Sequence, residues 1–203
     1  MTDEFMSSKE EIRTRHRRGR AELDVARLNA AGSAIATHGL EWAAEISGGR
    51  AAAIAVYLGV GSEPPTLPLM TALHKAGHSV LLPVCEPGRT LSWVYWTPRS
   101  VFVSSRFAPI QEPAGERHGT DIMRTVAAVF LPATAVDRSG NRIGQGGGYY
   151  DKFLAALEAR EWSLPLAAVV FDSELLPAGS IPAEPFDRRV PAVLTPAGYI
   201  RLT

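Results

Sequence analysis

Ten consecutive residues, RIGQGGGYYD from Arg142 to Asp151, bring together the groups needed to handle phosphate. Glycines at 144, 146, 147 and 148, with Gly140 just upstream, let the main chain approach phosphate oxygens and take positive φ without a Cβ clash. The segment follows an apolar run, VAAVFLP (126–132), and leads into a helical pattern, YYDKFLAAL. In α/β sheets ligands bind beyond the carboxyl ends of strands, where a following helix offers free N–H groups and about half a positive charge to an anion. The guanidinium of Arg142 suits phosphate, and a carboxylate at the helix start, Asp151, suits Mg²⁺ bound to phosphate. Two familiar phosphate loops are excluded: GxxxxGK[ST] is absent, and GxGxxG fails because Tyr149 occupies its last position when counted from Gly144. A turn serving only chain reversal is the competing reading, against which Arg142 and Asp151 weigh. Tyr149 and Tyr150 point about 100° apart on a helix, so one can pack on the sheet while the other faces a planar ligand.

The elements that must position this segment are legible on both sides of it. Ser8 and Glu11 form a capping-box pattern that starts a helix at Lys9. Apolar residues at Ile12, Leu23, Val25 and Leu28, with the helix-weakening Gly19 between them, predict a long, mostly solvated helix that docks by its later turns. A second helical stretch carrying Ile35, Leu40, Trp42, Ala43 and Ile46 ends at Gly48-Gly49. From residue 51 the pattern becomes short apolar runs bounded by Gly or Pro: AAAIAVYL (51–58), SVLLPV (79–84), LSWVYW (91–96), VAAVFLP (126–132), PLAAVVF (165–171) and AVLT (192–195). Runs without alternation fit strands covered on both faces, and helical segments at 66–76, 149–160 and 173–177 supply the crossovers. The Pro-rich stretch 97–113 is an excursion rather than a boundary. The expectation is a single α/β domain over residues 1–203, with a mostly parallel sheet covered by helices on both faces and an N-terminal helical arm.

A chain of 203 residues buries on the order of 70% of its unfolded surface, so it needs no disulfide or structural metal. Lys plus Arg equals Asp plus Glu at 21 each, so no global field recruits nucleic acid or an anionic membrane. The one cysteine, Cys85, has no partner and reads as a small buried hydrophobe in a reducing compartment. The charged N-terminus lacks a secretory h-region, and no apolar run reaches the ~18–20 residues that span a bilayer. These features point to the cytoplasm and to partners that are neither nucleic acid nor membrane; a monomer is the expectation, though none of these features sets the oligomeric state.

The segment LPATAVDRSGNRIGQGGGYYDKFL resembles the signature of the 5-formyltetrahydrofolate cyclo-ligase family, also called methenyltetrahydrofolate synthetases. Residue types and spacing agree at Asp137, Gly140, Arg142, Gly144, Gly146, Gly148, Tyr149, Tyr150 and Asp151. Three further segments agree in order. Lys9 and Arg13 match a K-x-x-x-R pair that contacts ATP phosphates, and their i,i+4 spacing puts both on one helix face. Glu63 and Thr66 sit where the family has a folate-contacting glutamate and a helix-starting threonine. IPAEPFDRRVPAVLT resembles the closing segment, in which Asp187 matches a second metal carboxylate.

The resemblance implies ATP- and Mg²⁺-dependent ring closure of 5-formyltetrahydrofolate to 5,10-methenyltetrahydrofolate, with release of ADP and phosphate. It assigns catalysis to Arg142, Tyr150 and Lys9. It assigns nucleotide binding to Lys9, Arg13, Arg142, Ile143, Gly144, Gln145, Gly146, Gly147, Gly148, Tyr149 and Tyr150. Folate falls to Glu63, Phe107 and Tyr150, and Mg²⁺ to Asp151 and Asp187. Phosphoryl transfer asks for positioning and charge neutralisation rather than a protein nucleophile, which agrees with the absence of a GxSxG elbow and with five scattered histidines. Departures from the pattern are Gln145 and Gly147 where basic residues are usual, Val136 for an aromatic, Ala133 for a glycine, and Ala108 where a folate-stacking aromatic aligns, with Phe107 one place away. Two other classes compete: a sugar-phosphate isomerase or acyl-transfer relative on a similar fold, and an RNA- or partner-binding protein using RTRHRRGR at 13–20. ATP consumption separates the first, and salt-sensitive binding indifferent to ATP marks the second.

Overall fold

The computed structural model describes residues 8–202. Along the chain run α1 (Lys9–Ala21), α2 (Val25–Ser47), β1 (Ala53–Val56), α3 (Leu67–Lys75), β2 (Ser79–Glu86), β3 (Thr90–Trp96), β4 (Phe102–Ser104), β5 (Gln111–Pro113), β6 (Val126–Pro132), β7 (Ala135–Asp137), β8 (Arg142–Ile143), α4 (Tyr149–Glu158), β9 (Leu166–Val169), β10 (Leu175–Leu176), β11 (Ala192–Thr195) and β12 (Gly198–Arg201). Five of the six apolar runs become the inner strands of a seven-stranded sheet of order β12-β11-β9-β6-β1-β2-β3, and the sixth, LSWVYW, becomes its edge strand β3. Its five inner strands are mutually parallel, and the edge strands β3 and β12 run antiparallel to their neighbours. Within β1, Ile54 and Val56 enter the core beneath α2 and α3, while Ala55 enters the core beneath α4. Burial on both sides is why β1 shows no polar alternation. Trp42 of α2 anchors the first core, edge-on to Phe130 and stacked on Tyr199. Phe153, Leu154 and Leu157 of α4 anchor the second.

The expected start of the first helix is present in full: the Ser8 hydroxyl accepts from the Glu11 amide, and the Glu11 carboxylate accepts from the Ser8 amide. The expected single long arm is not. Asp24 accepts from the Arg27 amide and begins a second helix, so the chain breaks after Ala21 and Leu23 and Val25 belong to different surroundings. Nor does α1 dock by its later turns alone, because Ile12, His16 and Arg20 are all buried. Ile12 packs with Ala135, Ile143 and Ile181 over a small sheet of order β10-β7-β8. Arg20 donates from Nε and Nη2 to the two carboxylate oxygens of Glu174, at 2.6 and 2.9 Å, and from Nη2 to the carbonyl of Ala133.

The helix expected at 173–177 is instead a single 3₁₀ turn, Asp172–Glu174, followed by β10. Glu174 is responsible: its carboxylate accepts from the Phe171 amide and from Arg20, which fixes the turn and commits the side chain inward. The Pro-rich excursion contains a short hairpin, with Phe102 opposite Pro113. Cys85 is buried, as expected of a small hydrophobe.

Burial pushes the Glu174 carboxyl up, and the Arg20 guanidinium pulls it back. Removing one partner of a buried ion pair leaves the other charge without compensation. Glu174→Ala is expected to lower the unfolding free energy by about 3–5 kcal/mol in denaturant titration, and a loss under about 1 kcal/mol would contradict this burial.

Candidate functional site

The glycine-rich bend lies between β8 and α4, beyond the carboxyl end of β6. Gly146 and Gly148 take φ of +95° and +72°, which the absence of a side chain permits, and Gly148 forms the N-cap of α4 with no side-chain cap bond. Among the described residues, no backbone amide from Gly144 to Asp151 donates a hydrogen bond within the protein. Eight consecutive donors at a helix N-terminus are thus left without an internal partner, which is what an anion-binding surface requires. The Arg142 side chain is buried beneath this bend on β8, where its Nη2 meets Asp151 Oδ1 at 2.5 Å, and its Nε is buried without a partner.

Helix α1 lays three of its cations along the bend and the closing segment. Lys9 pairs with Asp187 at 2.6 Å and with Glu184. Burial pulls the Lys9 ammonium down, but bonds to Asp187 and Glu184 outweigh it and leave it above its ordinary range. Arg13 Nε donates to the carbonyl of Gly144 at 2.9 Å, and Arg17 reaches Gln145 Oε1 at 3.5 Å. The structure thus brings Lys9, Arg13, Arg142, Asp151 and Asp187 around one bend, as the spacing predicts for the two α1 cations. Asp151 is one-third exposed and Asp187 mostly covered.

The loop after β1 faces the same bend. Thr66 stands at the N-cap of α3, as expected of a helix-starting threonine, but its buried hydroxyl makes no cap bond; it donates to the carbonyl of Tyr57 and accepts from the amide of Gly59, tying the loop closed. Glu63 accepts from the Val60 amide at 3.1 Å and from Gln145 Nε2 at 3.3 Å, which links it to the glycine-rich segment. Tyr150 packs between both cores with its hydroxyl buried and unpartnered, and burial holds that phenol above its usual range, as a neutral donor. Tyr149 leans outward, and its hydroxyl approaches the carbonyl of the half-exposed Phe107 at 3.5 Å. Both tyrosines are half-buried and pack on the second core, and Tyr150 reaches the first as well. Ala108, where an aromatic was expected, packs on the second core.

Arg17 and Arg89 were not singled out in the sequence. Arg17 is one turn beyond Arg13, so the i,i+4 pattern contained it. Arg89 follows Pro87-Gly88 in the β2–β3 turn with φ +60°, an unusual conformation for a side-chain-bearing residue, and lies beside Gly148. Nothing in the sequence alone connects that turn to α4. Cys85 lies near Tyr149 and Glu112, and burial pushes its thiol up to about 12, so it is no nucleophile at neutral pH.

Among the described residues no group of three or more His, Cys, Asp and Glu side chains could hold a metal. His74 packs edge-on to Trp96 and His78 accepts from the Ala52 amide, so these two are structural. Two carboxylates beside an anion-binding bend suit Mg²⁺ that arrives with phosphate oxygens and keeps several waters, rather than a resident ion in an all-protein cage. The unpartnered Arg142 Nε and Tyr150 hydroxyl fit the same picture, since buried polar atoms left unpaired cost about 1–3 kcal/mol each until a ligand meets them.

The sequence model of the 5-formyltetrahydrofolate cyclo-ligase family matches residues 5–196. A 5-formyltetrahydrofolate cyclo-ligase from Mycolicibacterium smegmatis is 36% identical over 148 residues, covering 70% of this chain and 73% of that protein. Its counterpart from Escherichia coli K12 is 31% identical over 146 residues, covering 71% and 78%. Among solved structures, the 5,10-methenyltetrahydrofolate synthetase of Mycoplasma pneumoniae superposes with a TM-score of 0.70 at 14% identity, over 93% of this chain and 98% of that one. The synthetase of Aquifex aeolicus gives 0.71 at 22% identity, over 96% and 92%. At those identities the structural likeness speaks for the fold, and the sequence match carries the family. A match over nearly the whole chain, on a fold whose glycine-rich bend is open to an anion, means that this chain belongs to the 5-formyltetrahydrofolate cyclo-ligase family.

Proposed function

We propose that this protein closes 5-formyltetrahydrofolate to 5,10-methenyltetrahydrofolate at the expense of ATP, releasing ADP and phosphate. The observation that carries the reading is the row of eight backbone amides from Gly144 to Asp151 that bond to nothing in the protein, flanked by Arg142 and by the α1 cations. In this reading Lys9, Arg13 and Arg142 neutralise phosphate charge, and the backbone from Gly144 to Gly148 cradles it. Asp151 and Asp187 hold Mg²⁺, which supplies charge neutralisation on the phosphates. Glu63 takes the amide-like edge of the pterin, and Phe107 and Tyr150 bound it.

The chemical difficulty is that the formyl oxygen is a poor leaving group. Transfer of the γ-phosphoryl group to that oxygen gives an imidate phosphate; N10 then attacks the former formyl carbon, and phosphate departs with the oxygen. The protein supplies position and charge for these steps. Tyr150, held as a neutral donor, and Arg142, with a free Nε, are placed to steady the negative charge that moves onto the transferred oxygens. We further place the protein in the cytoplasm as a monomer with neither nucleic acid nor membrane as partner. The balanced charge gives no global field to recruit nucleic acid or an anionic membrane, and no helix among the described residues is long and apolar enough to cross a membrane.

Two measurements test the reading. Purified protein given 5-formyltetrahydrofolate and Mg-ATP is expected to form the methenyl chromophore with matching release of ADP, and Asp151→Asn to lower that rate at least ~100-fold, the scale of lost metal-held charge stabilisation. Full activity in Asp151→Asn would remove Asp151 from the metal site. A second variant addresses the folate side. A Cβ on Gly59 would stand 2.3 Å from the carbonyl oxygen of Pro64, so Gly59→Ala must displace the loop that carries Glu63. Its KM for 5-formyltetrahydrofolate is expected to rise by about tenfold or more with KM for ATP little changed, and an unchanged folate KM would detach Glu63 from the substrate.

A further inference from the structure

Lys9 and Arg13 tie helix α1 to the closing segment and the bend, and two buried contacts tie it to the body of the fold. Ile12 makes an apolar one, which is non-directional and does not by itself set the rotation of the helix. Arg20 makes the other: a fork of two bonds to Glu174, a third to the carbonyl of Ala133, and a face-on approach to the Phe171 ring at 5.8 Å. All three partners belong to the carboxyl ends of sheet strands. Ala133 joins β6 to β7, and Phe171 and Glu174 form the turn after β9. A planar guanidinium held at two oxygens fixes direction as well as distance.

Buried ion pairs are weak stabilisers compared with apolar residues of similar volume, and their best-attested use is to specify register. Register is what this helix requires. Lys9, Arg13 and Arg20 share one face, because residues four and seven apart return to the same side. A slip of one residue turns that face by about 100° and carries Lys9 and Arg13 away from the bend.

We infer that the Arg20–Glu174 pair is a positioning device that sets the rotation of α1 and so presents Lys9 and Arg13 to the nucleotide phosphates. The inference deepens the function proposed above and rests on it. Neither Arg20 nor Glu174 touches the phosphates; both act through Lys9 and Arg13.

The test is a double-mutant cycle on the full chain, with Mg-ATP binding read by titration calorimetry. Replacing the pair by apolar residues of similar size, Arg20→Met with Glu174→Leu, is expected to keep the thermal midpoint close to wild type yet weaken Mg-ATP binding about tenfold or more. Arg13→Ala is expected to cost about tenfold in the wild-type background and about twofold or less in the paired variant, where Arg13 is already misplaced. Equal costs in the two backgrounds, or unchanged binding in the paired variant, would overturn the inference. If the paired variant does not fold, Glu174→Gln takes its place, with a smaller loss in the same direction expected. Hydrogen exchange gives an independent reading: amides of Lys9–Ala21 should lose protection in the paired variant, and unchanged protection overturns the positioning role whatever binds. Failure of wild type to bind Mg-ATP would instead overturn the function proposed above.

Discussion

A fully buried carboxylate holds the functional end of this molecule together. Asp137, at the end of β7, has no exposed surface, and its two oxygens accept from the amides of Ser139, Asn141 and Ile181 and from the side-chain amide of Asn141, all at 2.9–3.1 Å. A charge so placed is tolerated only when bonded this fully, and satisfying it dictates the path of the chain from 137 to 142. That path brings Arg142 onto β8 beneath the bend. It also couples two loops, since Asn141 accepts from Arg189 Nε and a Cβ on Gly140 would meet the Val190 carbonyl at 2.7 Å. The segment that carries Asp187 is thereby fixed against the turn that carries Arg142.

With that frame set, the bend beyond it is held through its carbonyls and the Gln145 side chain, and its amides stay available. The charged side chains around it are arranged in pairs: Arg142 with Asp151, Lys9 with Asp187 and Glu184, Arg13 with Glu10. In the proposed reaction the triphosphate replaces these carboxylates as partner of the cations, and Asp151 and Asp187 become free for the metal that travels with it. The site therefore exchanges partners rather than filling with uncompensated charge. Such an exchange keeps a cluster of cations from repelling one another before the nucleotide arrives.

Features set by neighbours in sequence were the ones legible in sequence. The capping box at Ser8 and Glu11, the glycine bend and the six apolar runs all depend on spacing alone. The docked face of α1 was hidden because two of its three buried residues, His16 and Arg20, are polar; the partner that buries Arg20, Glu174, lies 154 residues away. The same ion pair explains why 173–177 reads as helical yet folds as a turn and a strand. Thr66 starts α3 as its position implied, but the bonds of its hydroxyl were not legible, because they go to a loop that only the crossover from β1 to α3 brings to it. Arg89 reaches the start of α4 from a turn between two other strands, which no local pattern reports.

The central claim is that the main chain from Gly144 to Asp151 receives the terminal phosphates of a nucleotide. A crystal structure of the full chain with Mg²⁺ and a non-hydrolysable ATP analogue tests it most directly. The account predicts β- and γ-phosphate oxygens within hydrogen-bond distance of several of those amides, with Lys9 and Arg13 turned from their present partners onto the phosphates. Nucleotide bound elsewhere, with the bend empty and Lys9 still on Asp187, would contradict it.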